Sequence, residues 1–336
     1  MSDTRDMINK LTIRHQNKAM SWVPPTTNIV SKPANREDWL EGRKPFIGAS
    51  ESPAILHKSP FKSYYSLWAE KSGAVEMPDF DSERMAWGRR LERPIAQGLA
   101  EDFGFDIIEP DFVLQDPELR AAATLDFFVK KPSGEVLKQL PDAIGAGVLE
   151  IKNVDSLIAQ KKWEGEPDIG YLIQLQHQMM LFGATWGAIG ALIGGNKGVL
   201  FCYEVHEPTV AALRTEIRKF WDLVESGTAP DVDGSYSTGE TLKLQNPQDD
   251  GTVEEVSDPE IEELCRQYKD FAGQEKSAKE QKSKVQNQLK EYLGARKKVM
   301  SGDFSITSST VNKDGYWIKP SSYRTFSVTQ RKPKEV

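Results

Sequence analysis

Gly147-Val148-Leu149-Glu150-Ile151-Lys152 is the stretch on which the reading of this chain turns. Its apolar, β-branched residues mark it as a strand. Side chains alternate along a strand, so Glu150 and Lys152 share one face while Ile151 turns to the core. A second carboxylate, Asp126, lies upstream in an apolar run over residues 121–130 (AAATLDFFVK) that also reads as a strand. Burying a carboxylate without a partner is costly, so its place there calls for a reason. Two strands presenting Asp, Glu and Lys on one face suit a hard cation held by carboxylates and a main-chain carbonyl. The lysine can then orient an attacking water or help to deprotonate it. Taken alone, Glu-x-Lys is a weak signal, because such a pair on a strand is often a surface salt bridge.

The flanking sequence supplies an α/β setting. Residues 49–56 and 63–71 read as short helices, the second ended by Gly73. Over residues 84–103, Trp87, Leu91, Ile95, Leu99 and Phe103 recur at helical spacing up to Gly104, and Pro94 predicts a kink or two abutting helices. Residues 106–109 form a further strand. A polar insertion between the two central strands predicts a hairpin tip over residues 131–147. Residues 171–182 (YLIQLQHQMMLF) read as a helix, 186–193 and 198–205 as strands, and 208–225 as a helix closed by Gly227.

The expected domains are a lead-in over residues 1–35, an α/β core over 36–232, a Gly/Ser/Asp/Gln-rich linker over 233–256 and a C-terminal module over 257–330. In that module Asp258 and Pro259 fit a helix start. Ile261, Leu264, Tyr268 and Phe271 keep a 3–4 spacing that Val285, Leu289 and Tyr292 resume. The polar middle, residues 274–284, favours a helical hairpin or frayed coiled coil. Strands over 304–307, 316–318 and 323–329 complete a small antiparallel sheet.

Composition bounds the function. The 336 residues include 43 Lys+Arg and 50 Asp+Glu, a formal net charge of −7. An acidic total does not advertise nucleic-acid binding, yet a local basic groove can sit on an acidic molecule. Two cysteines, Cys202 and Cys265, cannot build a disulfide scaffold, a four-thiolate zinc site or a four-cysteine iron–sulfur cluster, and they suit a reducing, intracellular compartment. The N-terminus has no apolar signal-peptide core. The longest stretch free of Asp, Glu, Lys and Arg, residues 169–196, reads as a core helix and a buried strand rather than a membrane span.

Several motifs in order resemble the phage lambda exonuclease and YqaJ-like viral recombinase family of the PD-(D/E)xK nuclease superfamily. Trp39, Arg43 and Ile47-Gly48-Ala49-Ser50-Glu51 are similar to its opening pattern. Ala86-Trp87-Gly88 with Glu92 is similar to its A-W-G-x3-E helix, Glu150-Ile151-Lys152 to its E-x-K strand, and Tyr171-x2-Gln174-x-Gln176 to its Y-x2-Q-x-Q helix. Asp126 stands where the family has an acid in Pro-Asp-Gly, here between Leu125 and Phe127, so regular strand is expected to run through it. The resemblance covers roughly residues 38–231.

It implies an α/β fold with a mixed central sheet flanked by helices. It also implies Mg²⁺-dependent 5′→3′ digestion of double-stranded DNA from its ends, leaving 3′ single-stranded tails. Asp126, Glu150 and the Ile151 carbonyl would bind a first Mg²⁺, with Glu92 serving a second, and Mn²⁺ as an alternative. Lys152 would position water, Gln174 would hold the site with Tyr171 in support, and Arg43 and Ser50 would bind a 5′-phosphate. A toroidal homotrimer, a single-strand annealing protein as partner, and a phage or prophage gene expressed in bacterial cytoplasm complete the expectation. The C-terminal module would serve oligomerisation or partner binding, with DNA contact by Arg296, Lys297 and Lys298 as a lesser role.

Plainer readings stand beside these. Glu92, among Arg89, Arg90 and Arg93, suits a solvated ion pair. Gln174 and Gln176 suit surface or capping roles, Arg43 a solvated loop, and Ser50 a simple N-cap. Trp87, Trp163 and Trp186 suit the core, His177 a structural role, and Asp142 and Asp155 loops. The functional alternatives are another PD-(D/E)xK nuclease (an endonuclease or a RecB-type enzyme), a non-catalytic DNA-end-binding assembly protein, and a small-molecule phosphodiesterase.

Overall fold

The computed structural model describes residues 27–33, 35–76, 81–163 and 165–308. The chain divides into two units, Met1–Gln245 and Asn246–Val336. The division falls within the stretch expected to be a linker.

The first unit is built on two sheets. Five strands pair in the order β3 (Ile107–Ile108), β6 (Phe127–Val129), β7 (Gly147–Val154), β8 (Trp186–Ile193) and β9 (Lys197–Glu204). β7 and β8 run parallel and the other neighbours antiparallel, giving the mixed central sheet the sequence implied. Four shorter strands pair in the order β1 (Asn28–Ser31), β4 (Phe112–Asp116), β5 (Ala121–Ala123) and β2 (Ile47–Gly48). The helices are α1 (Arg36–Arg43), α2 (Ser52–Ile55), α3 (Tyr64–Lys71), α4 (Glu83–Phe103), α5 (Gly134–Gln139), α6 (Ser156–Lys162), α7 (Ile169–Phe182), α8 (Glu207–Ser226) and α9 (Tyr236–Gln245).

The sheet is covered on both faces, and β7 shows how. Leu149 and Ile151 pack with Ile95 and Leu99 of α4, whereas Val148 packs in a larger core with Leu175 and Met179 of α7 and Ile217 and Phe220 of α8. Period-two alternation therefore sends Glu150 and Lys152 toward the α7 side. The strand is central, so both faces are dry. Each polar side chain on it must find a partner within the protein.

The structure corrects several local expectations. Residues 121–130 are not one strand. Residues 121–123 join the small sheet, 127–129 join the central one, and the chain crosses between sheets at Thr124-Leu125-Asp126. The apolar run is continuous because both ends of the crossing are buried, which hides the break. The insertion before β7 is not a projecting hairpin. It holds α5, whose terminal Gln139 donates to the Leu200 carbonyl at 3.0 Å and accepts from the Cys202 amide at 3.0 Å, docking the helix on β9. Residues 28–31, assigned to the lead-in, pair with β4. α4 runs unbroken through Pro94.

α9 lies inside the expected linker. It binds through hydroxyls rather than an apolar stripe: Thr238 Oγ1 reaches Ser63 Oγ at 2.8 Å, and Thr241 Oγ1 and Ser237 Oγ reach Ser66 Oγ at 2.8 and 2.7 Å.

In the second unit α10 is one helix, Pro259–Leu293, of 35 residues, in place of the expected hairpin. Its polar middle is rich in Lys, Glu and Gln, all good helix formers, and contains no proline. Asp258 caps its start by accepting from the Glu260 amide at 2.9 Å. β10 (Lys298–Ser301) and β11 (Phe304–Thr307) form an antiparallel hairpin. The strands expected over residues 316–318 and 323–329 lie outside the described residues. No described helix is long and apolar enough to cross a membrane.

Candidate active site

Glu150 is the centre of the site and is 2% exposed. Its Oε1 accepts from Lys152 Nζ at 2.5 Å and from Gln174 Nε2 at 2.6 Å. Its Oε2 accepts from Gln178 Nε2 at 2.5 Å. Gln174 returns the contact to the lysine, its Oε1 lying 3.3 Å from Lys152 Nζ. Lys152 also sits 4.8 Å from the centre of the Tyr171 ring. Gln174 and Gln178 are four residues apart on α7 and so project from one face toward β7. The helix is placed by its Asp168 cap, which accepts from the Gly170 amide at 2.9 Å, and by Gly183, whose left-handed φ of 73° ends it.

Asp126 joins this cluster from the crossing between sheets. Its Oδ2 accepts the Ile151 amide at 2.8 Å. Burial first, then the neighbouring charge of Glu150, raises its pKa well above the usual carboxylate range, against the opposing pull of Lys152. Glu92 comes from the N-terminal half of α4. Its pKa is also raised, first by burial and then by Glu150. Burial works to lower the Lys152 ammonium, but Glu150 and Asp126 outweigh it and hold the pKa above its ordinary value.

The arginines that offered Glu92 a surface ion pair are engaged elsewhere. Arg89 pairs with Asp81 at 2.6 Å, Arg93 with Glu109 at 3.2 Å, and Arg90 lies over the Trp87 ring. The structure thus brings Glu92, Asp126, Glu150, Lys152 and Gln174 into one electrostatic neighbourhood, with Tyr171 beside it.

The donor chemistry fits a divalent cation. Asp126, Glu150, Glu92 and the Ile151 carbonyl are hard oxygen donors, and the three acids gather around a single buried lysine, Lys152. Among the described residues no three Asp, Glu, His or Cys side chains already converge as a ligand shell. Glu150 is instead held by its amine and amide partners.

Arg43 and Ser50 form a second constellation. Arg43 Nη2 donates to Ser50 Oγ at 3.3 Å and lies over the Trp39 ring at 4.4 Å. Behind them is a buried acid, Glu51, which accepts the Gly48 amide at 2.8 Å and pairs with Lys71 at 3.1 Å and Arg43 at 3.4 Å. Burial tends to raise the Glu51 pKa, but Lys71 and Arg43 together bring it below its ordinary value. Lys71 Nζ also donates to the Phe46 carbonyl at 2.8 Å and the Arg43 carbonyl at 3.1 Å. These residues open on a groove of about 1700 Å³ whose lining runs from Lys32, Arg36 and Lys62 to Arg89 and Thr124. The Thr124 carbonyl accepts from Gln178 at 3.3 Å, which ties one wall of the groove to the side chain that holds Glu150.

The plainer readings sort themselves. Trp163 and Trp186 are core, while Trp87 is 54% exposed. Gln176 is structural, donating to the Glu204 carbonyl at 3.0 Å and accepting from the His206 amide at 2.7 Å. Asp155 caps α6. His177 is buried and bonds Ser52 Oγ through Nδ1. Gln178, Glu51 and Lys71 were not singled out as site residues in the sequence. The spacing of Gln178 four residues after Gln174 was the signal for the first of them.

Over 264 residues the chain is 26% identical to the uncharacterized protein YqaJ of Bacillus subtilis (strain 168), a similarity that covers 77% of this chain and 78% of that protein. Among solved structures it is similar to an alkaline exonuclease (LHK-Exo) from Laribacter hongkongensis. The similarity covers 62% of this chain and all of that one, at 18% identity and a TM-score of 0.44. A structure of LHK-Exo in complex with dAMP aligns over the same shares at 20% identity and a TM-score of 0.44. The model of the YqaJ-like viral recombinase domain matches residues 38–185, the stretch that holds Arg43, Ser50, Glu92, Asp126, Glu150, Lys152 and Gln174. Over residues 38–185 this chain is therefore similar to the YqaJ-like viral recombinase domain.

Proposed function

We propose that the chain is a divalent-metal-dependent DNA exonuclease. It degrades the 5′ strand from duplex ends and leaves 3′ single-stranded tails for annealing-type recombination. The observation that carries this reading is the carboxylate of Glu150, fixed at both oxygens by Lys152, Gln174 and Gln178 beside Asp126 and Glu92. The viral recombinase family supports the placement in DNA recombination.

Asp126, Glu150 and the Ile151 carbonyl would hold the first Mg²⁺ and Glu92 would serve a second, with Mn²⁺ as an alternative. Bound there, the metal supplies Lewis acidity and lowers the pKa of its water. The chain's own groups do the rest. Lys152 orients the water and holds a proton at Nζ, kept charged by its acidic neighbours. Gln174 ties Lys152 to Glu150, so amine and carboxylate keep one geometry. Arg43 and Ser50 take the 5′-phosphate, since a guanidinium fork beside a hydroxyl suits a phosphate dianion. The groove, whose lining mixes Lys32, Arg36, Lys62 and Arg89 with acids such as Glu70 and Asp81, would take a DNA strand despite the acidic total. By family resemblance the enzyme acts as a ring-shaped homotrimer with a single-strand annealing protein.

The test uses linear duplexes labelled at each 5′ or 3′ end, with and without a 5′-phosphate, in Mg²⁺. Lys152→Ala and closed circular DNA run alongside. Release of 5′ label from phosphorylated ends, lost in the variant, supports the proposal. Cutting of the circle marks an endonuclease instead, and retained DNA binding without cleavage marks an assembly protein.

A further inference from the structure

Within its own unit, among the described residues, helix α10 is exposed almost throughout. Of Pro259–Leu293, only Leu293 is buried. Its large apolar side chains, from Leu289 to Phe271, are between 42% and 64% exposed. A helix of this length, about 52 Å, gains its stability from covering such a stripe.

The stripe has a strict period of seven. Ile261, Tyr268, Glu275, Lys282 and Leu289 occupy one seam position of the repeat. Leu264, Phe271, Ala278, Val285 and Tyr292 occupy the other. All but Glu275 and Lys282 are apolar or aromatic, and a seven-residue repeat sustained over the helix is the pattern of a coiled coil. The ion pairs of Arg266 with Glu262 and Glu263 fall on the outer face and leave the seam clear. One flanking row is Gln267, Gln274, Gln281 and Gln288, so charges in that row cannot choose the partner's direction.

The two seam charges can. In a parallel pair, equivalent seam residues meet, setting Glu275 against Glu275 and Lys282 against Lys282 in a desolvated layer. In an antiparallel pair centred between Lys276 and Ser277, the layers are Ile261 with Tyr292, Leu264 with Leu289, Tyr268 with Val285, Phe271 with Lys282, and Glu275 with Ala278. Each apolar end meets an apolar end. Glu275 then lies one helical turn from Lys282 of the second copy, within reach of an ion pair, so the seam holds two Glu–Lys approaches against one between the two Glu275, and the two Lys282 no longer meet. We propose that α10 is a self-pairing surface whose partner is α10 of a second copy of this chain, packed antiparallel in this register.

The test is made on the full chain with Cys265→Ser. Carrying both Leu264→Cys and Leu289→Cys, the chain should form a covalent dimer on mild oxidation. Leu264→Cys alone should not, because antiparallel packing holds the two copies of position 264 at opposite ends. A disulfide through Leu264→Cys alone, or none in the double variant, overturns the proposal. Glu275→Lys offers a check on the exposed helix that spares the nuclease unit. It should weaken self-association by about tenfold or more in sedimentation, a loss that adding Lys282→Glu restores. Unchanged association in Glu275→Lys, or binding of a different chain at this seam in place of a second copy, overturns it equally.

Discussion

Gln178 Nε2 lies 2.5 Å from Glu150 Oε2, the carboxylate oxygen that Lys152 and Gln174 do not reach. The same amide nitrogen also faces the Thr124 carbonyl at the crossing that presents Asp126. One side chain thus fixes the acid on β7 and the backbone beside the acid on the crossing. Supporting hydrogen bonds of this kind commonly carry a factor of 10–100 in activity. In the proposed enzyme, Gln178→Leu is expected to lower cleavage of linear duplex by at least about tenfold. It should also cost about 1–3 kcal/mol of stability, since a buried carboxylate oxygen loses its donor. Cleavage rates and urea denaturation of the variant check both.

Glu51 neutralises Lys71, whose side chain is 3% exposed, and braces Arg43. Glu51→Gln leaves a buried ammonium with carbonyl partners only. A loss of about 3 kcal/mol is expected. In the proposed enzyme, the preference for 5′-phosphorylated over 5′-hydroxyl ends should shrink as Arg43 loosens. Denaturation curves and paired rates on the two substrates read the two effects separately.

His177 gives the molecule an acid-side weakness. Burial pushes its imidazole down to about 4 from the ordinary 6.5, and Glu51 only partly opposes this. Between those values the unfolded chain takes up a proton that the folded chain refuses. Stability therefore falls as pH drops from 6.5 toward 4 and stops falling from this cause below that. The full loss is about 3 kcal/mol. Chemical denaturation at pH 7, 5.5 and 4.5 should show the slope in the wild type and its removal in His177→Gln.

Gly147 starts β7 directly against a fully buried ring. A Cβ there would come within 2.3 Å of the Trp186 indole, which is 1% exposed and lies in the same core as Ile95 and Leu99 of α4. Gly147→Ala should destabilise the protein by about 1–3 kcal/mol. Thermal unfolding checks this, and an unchanged midpoint would mean that the indole can move.

How much of this was legible depended on the kind of signal. α4, α7 and α8 were readable because their apolar residues fall at helical spacing on the faces they bury, and β7 because it is a short, β-branched apolar run. The acids and Gln174 followed from motif order. The crossing at Thr124–Asp126 was not readable, since no glycine or proline marks it and both sides are apolar. The short strands Asn28–Ser31 and Phe112–Asp116 are fixed by each other across a long sequence gap, which local pattern does not encode. α9 binds by hydroxyl groups, so hydropathy passes over it. Lys71 looked like an ordinary helix-end lysine, and only the fold brings Glu51 beneath it.

α7 has one more consequence. Gln174 and Gln178 reach the acids from it, while His177, between them in sequence, grips Ser52, two residues beyond Ser50. A single stiff rod is therefore pinned both to the turn proposed to hold the strand's terminus and to the point proposed for scission. In the proposed enzyme that rod acts as a ruler. Its thickness, with His177 reaching one way and Gln174 and Gln178 the other, would fix how far the held terminus lies from the cut, and the excised fragments should be of uniform size.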